Sequence, residues 1–447
     1  MRYEETLRYL YALGRELASP RQARVQKFDL YNISVLAAAM GHPERRAPCV
    51  HIAGTNGKGS TAAMLESILR SAGLKTGLYT SPHLERINER IRINAEPVAD
   101  EEFAKSFDRV LAVIETQMAS GALAAHPTFF ECVTAIAFDV FARSGVEFAI
   151  YEVGMGGRLD ATNIVTPEVG VITQIDFDHE SYLGHSLEEI AGEKAGIIKP
   201  DALVVSAAER PEARSVIAER CRKQNARLVE IDSAWQIGKI GAIDGCYRAN
   251  AEWRADGERI RLKIPLPGKF QIRNALTAAA AAQLLEGGGF RVDAKAIEHG
   301  IASVQWPGRL ERVAEHPAVF LDGAHNPSAA RELREFWDEN FAGRRIFLVY
   351  GAMRDKAVDE IAGLLFPRAA HVILTQPHQS RAISVAVLEQ IACHHAASCE
   401  AIGDAAQAIE RALSLAKPED AVFVTGSLFL VGEARSHFRE PISRSAP

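Results

Sequence analysis

The sequence predicts an α/β protein of two lobes, each built on a largely parallel sheet. Three observations carry this. Short runs rich in β-branched residues recur along the chain, helical patterns separate them, and 447 residues exceed what one compact core usually encloses. The first set of runs is Cys49–Ala53, Thr76–Tyr79, Phe148–Val153, Val169–Ile175 and Leu203–Ser206. The second is Ala318–Leu321, Ile346–Tyr350, His371–Thr375 and Ala421–Thr425.

Residues 235 to 264 read differently. Alternation in Glu258–Ile264 and the turn-like Asp244-Gly245 predict an antiparallel excursion. The alanine run Ala278–Ala282 belongs to a helix that ends at Gly287-Gly288-Gly289. A boundary is expected within Ser303–Arg309, where Gln305-Trp306-Pro307-Gly308 favours a turn and a new strand–helix series begins. This divides the chain into residues 1–302 and 303–447.

Composition excludes several classes. With 47% hydrophobic and 24% charged residues, the chain is an ordinary globular one. A net charge of −6 argues against binding nucleic acid through bulk electrostatics. Six cysteines form no short CxxC pair, so a disulfide framework or zinc ribbon is not expected. Cys393-His394-His395 with Cys399 reads as part of a helix rather than a metal tract, because no second ligand cluster has zinc spacing. The charged start Met1-Arg2-Tyr3-Glu4-Glu5 lacks the apolar core of a signal peptide, and no apolar run is long enough to span a bilayer. A cytoplasmic protein with no membrane or nucleic-acid partner is expected.

The strongest local signal is Ile52-Ala53-Gly54-Thr55-Asn56-Gly57-Lys58-Gly59-Ser60-Thr61. A buried strand leads in, and Met64, Leu65, Ile68 and Leu69 lead out at helical spacing, with Gly73 as a C-cap. Strand, glycine loop and helix are what a phosphate site requires. Glycines let backbone N–H groups approach the phosphates, and the helix N-terminus adds positive potential. Lys58 is placed to neutralise β/γ-phosphates, and Ser60 or Thr61 to reach phosphate or Mg²⁺. The first glycine stands closer than in GxxxxGK[ST], and Gly59 separates the lysine from the hydroxyl.

Ligands of open parallel sheets lie beyond the carboxyl ends of strands. Glu152 and the stretch Asp176-Phe177-Asp178-His179 both fall there. Glu152 is either a Mg²⁺ ligand or a salt-bridged residue, and His179 either a ligand or structural. Ser81, in Thr80-Ser81-Pro82-His83-Leu84, is either a turn residue or a metal-facing hydroxyl. Ser186-Leu187-Glu188-Glu189 is a capping box that starts a helix bounded by Pro200. Lys194 lies on that helix and, from composition alone, reads as a surface lysine.

Together these segments resemble the folylpolyglutamate synthase/dihydrofolate synthase branch of the Mur ligase family. The resemblance rests on Gly54–Ser60, Ser81–Leu84, Glu152–Asn163, His179–Gly184, Glu193–Gly196, Pro307–Arg309, Asp322–Pro327 and Thr425–Glu433, in family order along nearly the whole chain. It implies an N-terminal phosphate-loop ATPase domain and a C-terminal Rossmann-like domain. It also implies a reaction: ATP phosphorylates the carboxylate of dihydropteroate or a reduced folate, and the amine of L-glutamate displaces phosphate. Nearer and farther alternatives are a folylpolyglutamate synthase alone, another Mur-type ligase, or a nucleotide-sensing switch.

The resemblance further implies residue roles. Gly54, Thr55, Asn56, Gly57, Lys58, Gly59 and Ser60 would hold the ATP phosphates, and Asn274, Arg309 and Asp322 would reach ATP from both lobes. Ser81, Glu152 and His179 look like Mg²⁺ ligands. Lys194 matches a lysine that is carbamylated in the family. Leu159-Asp160-Ala161 and Phe130 resemble pterin-site positions, and His325 and Ser427 fall in motifs tied to glutamate. Lys58, Lys194 and His179 would be the catalytic set, and one chain is expected to suffice. Lys27-Phe28-Asp29-Leu30-Tyr31-Asn32-Ile33 departs from the family's segment, so no N-terminal substrate contact is assigned.

Overall fold

A computed structural model describes residues 1–14, 29–243 and 246–439. Lys27-Phe28 and Asp244-Gly245 lie outside the described residues. Eight strands form the first sheet: β1 (Cys49–Ala53), β2 (Thr76–Tyr79), β3 (Ile91–Ile93), β4 (Glu96–Pro97), β5 (Phe148–Glu152), β6 (Val169–Ile172), β7 (Leu203–Ser206) and β8 (Arg227–Glu230). Their order is β4-β3-β2-β5-β1-β6-β7-β8. Six are parallel neighbours, and β3 and β4 close one edge antiparallel.

Strand β1 lies between β5 and β6, so the loops leaving all three open on one edge of the sheet. β1 is buried at every position, as a strand covered on both faces must be. One face carries the helix Lys58–Ser71, packed by Phe270–Gly287 and Ala294–Ser303. The alanine run explains that packing: Ala278 to Ala282 are fully buried and let helices approach closely. Gly300 goes further, since a Cβ there would lie 2.4 Å from the Ile68 Cα. The other face carries Tyr31–Ala39, Asp100–Ala119 and Phe129–Arg143 around a Phe-rich core.

The antiparallel excursion is present as β9 (Trp235–Ile237), β10 (Gly241–Ile243), β11 (Cys246–Trp253) and β12 (Arg259–Ile264). Strict alternation of burial along β12 is what a half-covered strand shows.

A second sheet holds β13 (Glu311–Glu315), β14 (Ala318–Leu321), β15 (Ile346–Tyr350), β16 (His371–Leu374), β17 (Cys399–Ala401) and β18 (Ala421–Thr425), in the order β13-β14-β18-β15-β16-β17. All pairs but β13–β14 are parallel. The Cys393 tract ends the helix Val385–His395, and Cys399 opens β17; both cysteines are free. Among the described residues no helix is long and apolar enough to cross a membrane.

Between the sheets, Trp306 packs its indole on the phosphate-loop helix. A Cβ on Gly59 would lie 3.1 Å from Trp306 Nε1, and the Arg92 guanidinium covers the ring at 5.2 Å. The Gln305–Gly308 segment is therefore seated on the first lobe before the chain enters the second sheet.

Candidate active site

The phosphate loop turns sharply between β1 and the helix Lys58–Ser71. Gly57 has φ +84°, and a Cβ there would lie 2.3 Å from Asn274 Oδ1. Only glycine lets the backbone pass that close in that conformation. Gly54 is equally constrained, with a Cβ position 1.8 Å from Thr173 Oγ1. Thr173 Oγ1 donates to the Asn56 carbonyl at 2.7 Å, and the Thr55 N–H donates to the Gln174 carbonyl at 2.7 Å. The end of β6 thus braces the loop in one shape.

Two lysines close over it. Lys58 Nζ donates to the carbonyls of Gly54 and Thr55 at 3.0 and 3.1 Å. Lys194 Nζ donates to the Gly54 carbonyl at 2.9 Å. Lys194 is buried, against its composition-based reading as a surface lysine: the helix Leu187–Ala195 turns this face onto the loop. Burial first, and Lys58 second, bring its pKa down to about 7. Burial also lowers Lys58, while Glu152 and Asp178 favour its charge.

Glu152 ends β5 and is buried. Burial pushes its carboxyl up, and Lys58 and the Ser81 N–H, 3.2 Å from Oε2, resist this. His179 keeps different company. It has φ +51°, its Nε2 accepts from Lys356 Nζ at 3.3 Å, and its Nδ1 is buried without a hydrogen-bond partner. Burial, then Lys356, brings its pKa to about 3, so the ring is neutral and able to ligate. Among the described residues no three His, Cys, Asp or Glu side chains converge as a metal-binding group. The buried Glu152 oxygens beside Ser81 are the donors that fit a cation here, and His179 would join them through Nε2, the nitrogen that keeps its lone pair while Nδ1 carries the proton.

The second lobe meets the loop through Asn326, which caps the helix Pro327–Asn340. Its Nδ2 donates to Asn56 Oδ1 at 2.9 Å and to Asp178 Oδ2 at 3.2 Å. His325 Nδ1–H donates to the Gly323 carbonyl at 2.7 Å, leaving Nε2 3.6 Å from Asp178 Oδ2. Asp322 is buried and spends both oxygens on the N–H groups of Leu310 and Ala324. Arg309 lies over Gly323, where a Cβ would be 2.3 Å from its Nη1. Ser427 is buried, and its hydroxyl accepts the Phe429 N–H at 3.1 Å.

Phe130 lies over Gly154, with Cζ 2.6 Å from where a Cβ would stand. Asp160 is buried and accepts from the N–H groups of Gly154, Met155 and Thr162 and from the Thr162 hydroxyl. It shapes the loop after β5, flanked by half-buried Leu159 and buried Ala161.

A cleft of about 1200 Å³ runs between the lobes, from Asn56, Gly57 and Asn274 toward Trp235 and Phe270. Its far wall includes Glu332, whose carboxyl is pushed up to about 8 by burial and by Asp322, Glu209 and Glu335. That wall carries less negative charge at neutral pH than its composition suggests.

Sequence reasoning assigned no role to Lys356 or Asp178. Lys356 Nζ bonds Asp178 Oδ1 at 2.7 Å with only 8% of its side chain exposed. The signal was available, because Lys356 follows the carboxyl end of β15 as Asp178 follows that of β6.

Residues 52–282 match the Mur ligase middle domain and residues 308–428 the Mur ligase glutamate ligase domain. A Bacillus subtilis protein named dihydrofolate synthase/folylpolyglutamate synthase is 36% identical over 431 residues, covering 92% of this chain and 95% of that one. A Haloferax volcanii protein named "Probable bifunctional folylpolyglutamate synthase/dihydropteroate synthase" is 35% identical over 98% of this chain, which spans only 50% of that relative's length. The structure of Mycobacterium tuberculosis folylpolyglutamate synthase complexed with ADP superposes with a TM-score of 0.87 at 32% identity, covering 98% of each chain. The α/β architecture, the phosphate loop and these matches together make the chain a member of the Mur ligase family, in its dihydrofolate synthase/folylpolyglutamate synthase branch.

Proposed function

We propose that this chain is an ATP-dependent carboxylate–amine ligase that joins L-glutamate to dihydropteroate and to reduced folates. The observation that carries the reading is the meeting of two lobes at one phosphate loop, where Asn326 reaches Asn56 across the cleft. The γ-phosphoryl group passes to the substrate carboxylate, giving ADP and an acyl phosphate. The glutamate nitrogen then attacks the acyl carbon, the C–O bond breaks, phosphate leaves and the amine loses a proton.

Such chemistry needs position and charge neutralisation more than covalent help. Gly54–Ser60 hold the phosphates, with Lys58 and Arg309 offsetting their charge and Asn274 and Asp322 fixing the nucleotide. Mg²⁺ held by Ser81, Glu152 and His179 would supply further neutralisation at the phosphates. Lys194, carbamylated, organises the same region. Phe130 and Leu159-Asp160-Ala161 border the pterin, and His325 and Ser427 receive glutamate. Closure of the cleft over bound substrates would exclude water from the acyl phosphate. In this reading residues 1–302 bind ATP and folate, residues 303–447 bring glutamate, and a cytoplasmic monomer holds every group needed.

The test is phosphate release and product mass with ATP and glutamate, comparing dihydropteroate with tetrahydrofolate. Both acceptors are expected to be extended. Extension of tetrahydrofolate alone would make this a folylpolyglutamate synthase only. No glutamate-dependent phosphate release with either acceptor would overturn the reading.

A further inference from the structure

We propose that Asp178 is a positioning residue that docks the second lobe on the phosphate loop, with Lys356 as the group it places. The inference rests on the ligase reading for its consequence, and on geometry for its substance. The Asp178 carboxylate is set by its own chain, since Oδ1 accepts the His179 N–H at 2.9 Å. Onto it converge three groups from the second lobe: Lys356 Nζ at 2.7 Å, Asn326 Nδ2 at 3.2 Å and His325 Nε2 at 3.6 Å. Asp178 and Lys356 expose only 9% and 8% of their side chains, so this is an interior contact between lobes.

The charge balance gives the contact its force. Lys58 and Arg309 already bring positive charge to this end of the cleft. Lys356 is tolerable there because carboxylates oppose it, Asp178 Oδ1 at 2.7 Å and Asp355 Oδ2 at 4.0 Å; without Asp178 a buried ammonium would face other cations with only the longer contact left. Asn326 links the same carboxylate to Asn56, so the lobe position and the loop shape are tied through one residue. Docking also presses Lys356 against His179 Nε2.

A second interlobe contact lies elsewhere and keeps the lobes joined when this one is lost. Glu85 pairs with Arg435 at 2.5 Å and Arg439 at 3.2 Å, and the Leu84 carbonyl sits 2.1 Å from where a Gly432 Cβ would stand. Loss of Asp178 therefore opens the cleft locally and leaves both lobes folded.

The experiment uses Asp178→Asn, Lys356→Met and the double variant in the full chain, with turnover and amide hydrogen exchange as readouts. Asp178→Asn is expected to lower kcat about 100-fold, the scale of a small misplacement of reacting groups. Exchange at Asn56 and at Asn326–Ser328 should quicken about tenfold while β1 and β18 stay protected. The double variant should be no worse than Asp178→Asn alone, because the two residues act through one contact. Losses that multiply, or a kcat loss with exchange unchanged at Asn56, would overturn docking. So would turnover within about threefold of wild type. If Asp178→Asn does not fold, Lys356→Met decides: faster exchange at Asp178 and His179 supports the proposal, and unchanged exchange sinks it. Absence of glutamate-dependent phosphate release in the wild type would count against the ligase reading alone, and the exchange data would still decide the docking.

Discussion

Replacing Lys194 by methionine should abolish a pH dependence of stability that the wild type carries. The ammonium is fully enclosed and donates to the Gly54 carbonyl, and burial with Lys58 lowers its pKa from the usual 10.5 to about 7. Between those values the unfolded chain binds more protons than the folded one, so stability rises with pH through that window. Integrating the linkage relation from pH 7 to pH 9 yields roughly 2 kcal/mol for this one group. The same depression leaves about half of the amine neutral at pH 7, against about one in three thousand for a free lysine. A neutral amine is what carbamylation by CO₂ requires, and the product is an anion with oxygens to offer a hard cation. The assay is urea unfolding of both proteins at pH 7 and pH 9 with bicarbonate excluded, read as the difference between them so that separate unfolding of the two lobes cancels. Carbon-13 bicarbonate is then added at pH 8, and the wild type should show a carbamate signal that the variant lacks. Equal pH slopes in the two proteins would refute the buried-amine argument. A carbamate signal that persists in the variant would refute the assignment to Lys194.

Lys58→Ala should leave the fold intact and cost about 3 kcal/mol or more of transition-state stabilisation, measured as kcat with saturating ATP; near-normal turnover would remove Lys58 from the phosphate site. Glu152→Gln and His179→Ala should each raise the Mg²⁺ concentration needed for half-maximal activity, and a Mg²⁺ titration indistinguishable from wild type in both would rule them out as ligands. Asp160→Ala strands the N–H groups of Gly154, Met155 and Thr162, so it should destabilise the chain by roughly 2 kcal/mol and harm use of dihydropteroate more than of tetrahydrofolate. Equal loss with both acceptors would limit Asp160 to shaping its loop.

Much of the framework is a property of local sequence. Runs such as Ile346–Tyr350 and Ala421–Thr425 are strands because a strand covered on both faces must be almost continuously apolar, and that pattern needs no neighbours to be read. The phosphate loop is legible for a similar reason, since its glycines, lysine and helix start lie within one short stretch. Short edge strands such as Glu96–Pro97 and Arg227–Glu230 were not legible, because an exposed or half-buried edge imposes no strong apolar pattern. The burial of Lys194 was not legible either: a lysine's surroundings depend on which helix face meets which loop, and 140 residues separate it from the Gly54 carbonyl it bonds. For Ser427 and Asp322 the sequence offered only their motifs, and the fold shows that their oxygens serve local backbone N–H groups. The pairing of Lys356 with Asp178 joins residues 178 positions apart on different lobes. Local sequence determined the strands and the loop because their patterns are short-range; the charge arrangement around the loop was decided by tertiary contact, because electrostatic partners are chosen by distance in space.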